Sequence, residues 1–293
     1  MAGDRSPEPL SEAVHRRLRM GRLLPLGDAA DGAWLAEDAA AAVLRAAAEQ
    51  AVPAAQLGRL RLSLAGTGEH GPPAVPPPPT ALPHAPLRLD ADVAAPPATP
   101  LPAVCDALRS ALLAAADEQL GLRVATAELH VTELLDTSAY GAGPYAGDRH
   151  TGTEAEPEHR SRAEPEAERE PPPAPADAPS GLATAEAVLA VPGVTRLAPV
   201  LGPGVPGRGT PAVAVHRTGT GGEARGGRHL QIQLAVAADA RPLDVARAVR
   251  RAAAKAAVWD AGEAADSGGI GPVTVAVLVT AVDRPAGQDA RRG

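Results

Sequence analysis

Stretches in which apolar and polar residues alternate are separated, along this chain, by stretches in which apolar residues recur every three or four positions. Leu60, Leu62 and Leu64 alternate with Arg61 and Ser63 just after Leu57, the period of a half-buried strand. Leu87, Leu89, Ala91 and Val93 alternate with Arg88, Asp90 and Asp92, and this second strand is expected to pair with the first. A helix is predicted from about Leu101 to Leu120, with Leu101, Val104, Leu108, Ala111, Leu112 and Ala115 as its apolar stripe and Gly121 placed to stop it. Val124, Ala127, Leu129, Val131 and Leu134 supply a last strand ending at Asp136. Upstream, a helix beginning near Trp34 carries Val43 and Leu44 and stops before Pro53. Ser11 caps a shorter helix running through Val14 and Leu18, after which Leu23, Leu24, Pro25 and Leu26 run extended.

The second half repeats this order. Ala185 to Ala190 reads as a short helix, and Val213 and Val215 as a strand before a Gly-rich loop. Leu230, Ile232, Leu234 and Val236 alternate with Gln231, Gln233 and Ala235. A helix from Leu243 to Trp259 carries Val245, Val249, Ala252, Ala256 and Trp259 on one face, and Val273, Val275, Val277 and Val279 form a final strand. Matching Arg109 with Arg250 pairs Leu108 with Val249 and Val104 with Val245, and the closing strands match as Leu129-His130-Val131-Thr132 against Val277-Leu278-Val279-Thr280. The expectation is an α+β fold of two αββαβ units, each a small sheet with helices packed on one face. The units are placed at 31–138 and 181–284, after a basic helix and extended segment at 1–30. Between them, 139–180 mixes acidic residues, arginines and prolines and reads as a disordered linker, and 285–293 as a disordered tail.

Composition narrows the picture. With 32 Pro and 30 Gly, the folded part must fall well short of the 293 residues. Phe and Asn are absent and Lys255 is the sole lysine, the bias that GC-rich codons give. Each core is therefore assembled from Leu, Val and Ala, which bury less area per side chain than aromatics. Cys105 is alone, so no intramolecular disulfide forms. Neither a signal peptide nor a run of about 18 apolar residues is present, and a cytoplasmic protein is expected. The net charge of −7 argues against general nucleic-acid affinity.

Candidate chemistry is sparse. Gly202, Gly204 and Gly207 match a phosphate-binding glycine pattern, but Pro203 and Pro206 interrupt it and Pro211 follows where a helix should begin. The eight histidines are scattered. His130 is expected on the solvent side of its strand, and His216 and His229 flank a Gly-rich loop where they can approach each other. Cys105 sits within a helix beside Val104, and Glu128 and Glu133 have no acid/base context. No catalytic residue, cofactor or metal set is predicted. The strongest feature is basic: Arg247, Arg250, Arg251 and Lys255 fall opposite the stripe through Val245 and Val249, and Arg16, Arg17, Arg19 and Arg22 cluster beside Val14 and Leu18. Such faces suit an acidic protein partner or peripheral contact with anionic lipid.

The second unit, with Ala190-Val191-Pro192-Gly193-Val194 before a loop and Leu243-Asp244-Val245-Ala246-Arg247-Ala248-Val249-Arg250 before a valine strand, resembles the alkaline shock protein family of Gram-positive envelope-stress proteins. The first unit is similar through Leu101-Pro102-Ala103-Val104 and Leu108-Arg109. The chain also resembles actinobacterial proteins labelled as a nucleopolyhedrovirus-related family, through Gly21-Arg22-Leu23-Leu24-Pro25-Leu26 and Asp31-Gly32-Ala33-Trp34; that label implies no viral function. The resemblance covers about two-thirds of the chain, and long Pro- and Gly-rich insertions at 66–86 and 202–229 depart from it. It implies a non-enzymatic interaction or scaffolding role in an envelope stress response, with a related stress protein or a membrane-anchored protein as partner. Two alternatives stand beside it: a small-molecule binder or enzyme using the loop at 202–229, and nucleic-acid binding through the face from Arg247 to Lys255.

Overall fold

Alternation in the strands and helical spacing in the helices set the order of elements. The computed structural model describes residues 21–66, 73–135, 182–198, 213–218, 227–262 and 272–283. The chain runs through β1 (Leu23–Leu26), a 3-10 turn (Ala29–Asp31), β2 (Ala33–Ala36), α1 (Glu37–Ala51), β3 (Gln56–Leu64) and β4 (Leu87–Ala95). Next come α2 (Leu101–Ala114), a π-helical turn that continues it (Ala115–Leu120), and β5 (Val124–Leu134). The second half holds α3 (Leu182–Leu189), β6 (Val194–Leu197), β7 (Val213–Thr218), β8 (Gly227–Ala237), α4 (Pro242–Gly262) and β9 (Val273–Asp283). The expected helix from Ser11, the linker at 139–180, the tail at 285–293 and the glycine pattern at 202–207 lie outside the described residues.

The fold is α+β with two sheets. In the smaller, β4 lies between an antiparallel β3 and a parallel β5. In the larger, the order is β1-β2-β9-β8-β6, and β7 also pairs with β8. Within it β8 lies between an antiparallel β7 and a parallel β9, the arrangement of β3, β4 and β5. Register agrees as well: Ala91 stands opposite Leu60 and Leu129, and Ile232 opposite Val213 and Val277. The paired helix positions Val104 and Val245, and Leu108 and Val249, are all buried. The two halves therefore share strand order and helix phase, but the second is not the expected αββαβ: β6 and β7 together pair with β8 where β3 alone pairs with β4.

The N-terminal segment departs from the sequence reading. Trp34 begins no helix; it lies in β2, which pairs in parallel with β9, and α1 starts at Glu37. Gly32, left-handed at φ 52° and ψ 42°, ends the 3-10 turn and redirects the chain into that strand. All four residues of β2 are buried, which explains the absence of alternation. Residues 23–36 thus extend the sheet of the second half, so a unit boundary at 31 does not follow the strands. The proline-rich stretch also packs down: Val75 is buried against Gly32, Ala81 bridges to Leu23, and the Leu82 carbonyl accepts the indole Nε1–H of Trp34 at 3.2 Å.

A continuous apolar core joins the two halves. Helix α1 packs on α2 and β3 and also touches β9. The π-helical turn contacts α1 and α4. There Gly121, at φ 81°, has Leu243 of α4 packed against the place a side chain would occupy, and its carbonyl accepts the N–H of Gly27 at 3.2 Å. Arg241 donates to the Asp117 carbonyl from Nε and Nη2 at 3.0 and 2.7 Å, capping the C-terminal end of the long helix. In α4 the buried stripe runs through Leu243, Ala246, Val249, Ala253 and Ala257, rotated from the expected Ala252 and Ala256. The Trp259 side chain lies outside the described residues.

Candidate functional site

The 3-10 turn between β1 and β2 presents a carboxylate to α4. Asp28 and Asp31 form a reciprocal cap, with the Asp28 N–H donating to Asp31 Oδ2 at 2.8 Å. Arg247 closes on the same carboxylate with both prongs, Nε to Oδ1 at 2.8 Å and Nη2 to Oδ2 at 2.9 Å. Burial pushes the Asp31 carboxyl upward, but the Arg247 hydrogen bonds, the Asp28 N–H and the charges of Arg247 and Arg250 outweigh it and hold it below the ordinary value. The same contact with Asp31 raises Arg247 above the usual arginine range.

Rotation of the α4 stripe brings Arg250 to its buried edge. Its Nη1 donates to the Ala30 carbonyl, while its Nε is buried and has no hydrogen-bond partner among the described residues. Burial lowers the Arg250 pKa, with the charge of Asp31 acting against it. Arg251 is exposed beside it. Together with Ala254, Val273 and Val275 these groups line a cleft of about 480 Å³. Three guanidinium groups face one carboxylate there, with Asp244 nearby at 3.9 Å from Arg247. Chemically the cleft can take an anion: it sets charged, forked donors over an apolar floor, a pairing suited to a carboxylate or phosphate.

The basic residues singled out from sequence divide into three groups. Arg16, Arg17 and Arg19 lie outside the described residues. Arg22 is folded into the structure by Glu37, at 3.4 Å from Oε2, while Glu37 Oε1 accepts the Leu62 N–H at 3.3 Å. Arg247 and Arg250 flank the buried stripe and bind the turn at Ala30 and Asp31, whereas Arg251 and Lys255 are exposed and make no ion pair among the described residues. From sequence, Asp31 enters only through the Asp31-Gly32-Ala33-Trp34 motif and with no role of its own, although its spacing from Asp28 carries the signal of a reciprocal cap.

His216 and His229 are direct register partners across β7 and β8. His229 is buried, with Nδ1 2.9 Å from Thr274 Oγ1, and the His216 side chain lies outside the described residues. Cys105 is a half-buried free thiol on α2. Glu128 and His130 are exposed on β5.

Among the described residues no helix is long and apolar enough to cross a membrane. Compared with protein-family models, curated proteins and solved structures, the chain matches none.

Proposed function

We propose that the protein is a non-catalytic interaction or scaffolding module that takes an acidic segment of a protein partner into the cleft between α4 and the Asp28–Asp31 turn. The observation that carries this reading is Arg250, which lines an arginine-rich cleft and whose Nε–H is buried without a hydrogen-bond partner among the described residues. A buried unpaired donor costs about 1–3 kcal/mol, which a carboxylate recovers once the guanidinium turns its Nε–H toward the cleft. Val273 and Val275 give the methylene groups of a Glu side chain an apolar floor. Arg251 at the cleft and Lys255, one helical turn further along the exposed face, carry the cation track beyond it. The resemblance to envelope-stress proteins makes a related stress protein, or a membrane-anchored one, the partner of choice.

The same exposed cations would also meet anionic lipid headgroups at a membrane surface. This second reading rests on Arg251 and Lys255 alone, because Arg247 is already committed to Asp31. Nucleic-acid binding is disfavoured by the net charge of −7.

The test titrates the full chain against a fluorescent Glu-rich peptide, phosphatidylserine vesicles and duplex DNA in parallel. Saturable peptide binding that weakens about tenfold, or 1.4 kcal/mol, in Arg250→Gln is the expected result. Vesicle binding without peptide binding would favour the lipid reading. DNA binding that falls steeply with salt and is lost in Arg251→Glu/Lys255→Glu would replace both.

A further inference from the structure

The smaller sheet carries a second cluster, far from the arginines in sequence and built by strand register. Asp90 of β4 and Glu128 of β5 are direct partners across a parallel pair, and His130 lies two residues beyond Glu128 on the same face. One oxygen from each carboxylate and one imidazole nitrogen all lie within 4.8 Å of one another. Glu128 and His130 are exposed and Asp90 is half-buried, so the cluster opens to solvent.

We propose that Asp90, Glu128 and His130 form a binding site for a divalent first-row transition ion, Zn²⁺ foremost. The donor set is mixed, two carboxylate oxygens with one imidazole nitrogen, which suits Zn²⁺ and leaves at least one position for water. Two carboxylates offset the charge of the ion. Bonds of about 2.0–2.2 Å place tetrahedral ligand atoms about 3.4 Å apart, so side-chain rotation closes the remaining gap of roughly 1.4 Å. Asp92 is the register partner of His130, where a carboxylate can orient the ring through its second nitrogen.

The fold itself does not require these residues. At the matching places in the larger sheet stand Gln231, Ala276 and Leu278, none of which offers a charged or imidazole ligand, and Gln231 pairs with Ala276 as Asp90 pairs with Glu128. One local competitor exists: Arg88 Nε lies 3.1 Å from Asp90 Oδ2, and Arg61 faces Asp90 from β3. The ion must displace Arg88 from that oxygen or share the carboxylate with it.

The test uses the full chain, stripped with a chelator, titrated with ZnCl₂ by calorimetry and with Co²⁺ by its visible absorption. One equivalent should bind, with affinity reduced at least about tenfold in both His130→Ala and Glu128→Gln, while Arg88→Gln binds more tightly because Asp90 is freed. All three positions are surface-facing, and unchanged thermal melts of the apo variants show that the sheet is intact. Absence of binding, or affinity retained in either His130→Ala or Glu128→Gln, overturns the proposal.

Discussion

Arg247 and Asp31, 216 positions apart in the chain, meet in a two-pronged ion pair with N···O distances of 2.8 and 2.9 Å. The pair fastens the turn between β1 and β2 to the helix of the second half. It also fixes the wall of the cleft beside Arg250. Asp31→Asn should destabilise the protein by about 1–2 kcal/mol, discounted for the partial exposure of Arg247, and Arg247→Met by a similar amount, with a coupling of roughly 1 kcal/mol in the double-mutant cycle. Urea denaturation of the four proteins measures it.

The same pair predicts a pH dependence. The Asp31 carboxyl is held below its ordinary value, so its contribution to stability is complete above the unfolded pKa of about 3.9 and is lost as pH falls through the lower folded value. Melting curves of wild type and Asp31→Asn should differ at pH 6 and converge in strong acid. A difference that stays constant with pH would contradict the assignment.

His84 acts in a different window. Burial lowers its pKa below 6.5, opposed by a backbone hydrogen bond at Ala33 and by the charges of Asp31 and Asp28. Its ring lies edge-on to Trp34 at 4.9 Å, and its Nε2 is buried without a hydrogen-bond partner among the described residues. The folded state therefore binds this proton less readily than the unfolded chain, so stability should rise with pH from the folded value up to about 6.5 and then level off. Thermal melts from pH 5 to 8 should show that rise in wild type and a flatter profile in His84→Phe.

Gly121 is expected to tolerate no side chain. Its φ of 81° costs a non-glycine residue about 1–3 kcal/mol, and a Cβ would also press on Leu243, on its Cβ first and then on its Cδ2 at 2.8 Å. Gly121→Ala should lower the urea midpoint accordingly. Leu243→Ala in the same background should give no rescue, because alanine keeps the Leu243 Cβ that stands closest to Gly121 and the truncation itself empties a buried site.

Core and surface leucines should separate cleanly. Leu112 is fully buried on α2, and Leu112→Ala should cost about 2–5 kcal/mol. Leu134 is 55% exposed at the end of β5, and Leu134→Ala should stay within about 0.5 kcal/mol of wild type. Chemical denaturation of the pair checks the placement of the β5 end.

Much of the fold was legible because its strands are half-buried. Leu87 to Ala95 alternates buried with half-buried residues throughout, and the sequence shows that period directly. Trp34 was misplaced because β2 is buried on both faces and has only four residues, too few for a period to appear. β6, also four residues long, was absorbed into a loop for the same reason. In α4 the stripe drifted because Ala252, Ala253, Ala256 and Ala257 look alike to any apolar pattern, and that drift decides whether Arg250 faces solvent or the core. The cleft was half visible: the arginines stood out, but their acidic partner lies in the other half of the chain. Likewise Glu128 and His130 could be placed on one strand face, whereas their meeting with Asp90 depends on a register that no local signal specifies.

The most direct test of the proposed role is the nuclear magnetic resonance signal of the Arg250 side-chain Nε–H as a Glu-rich peptide is added to the full ¹⁵N-labelled chain. A saturable shift of that signal is predicted, with Arg196, paired with Asp283 near the end of β9, left unmoved. An unshifted Arg250 signal at peptide concentrations that saturate binding would contradict the account.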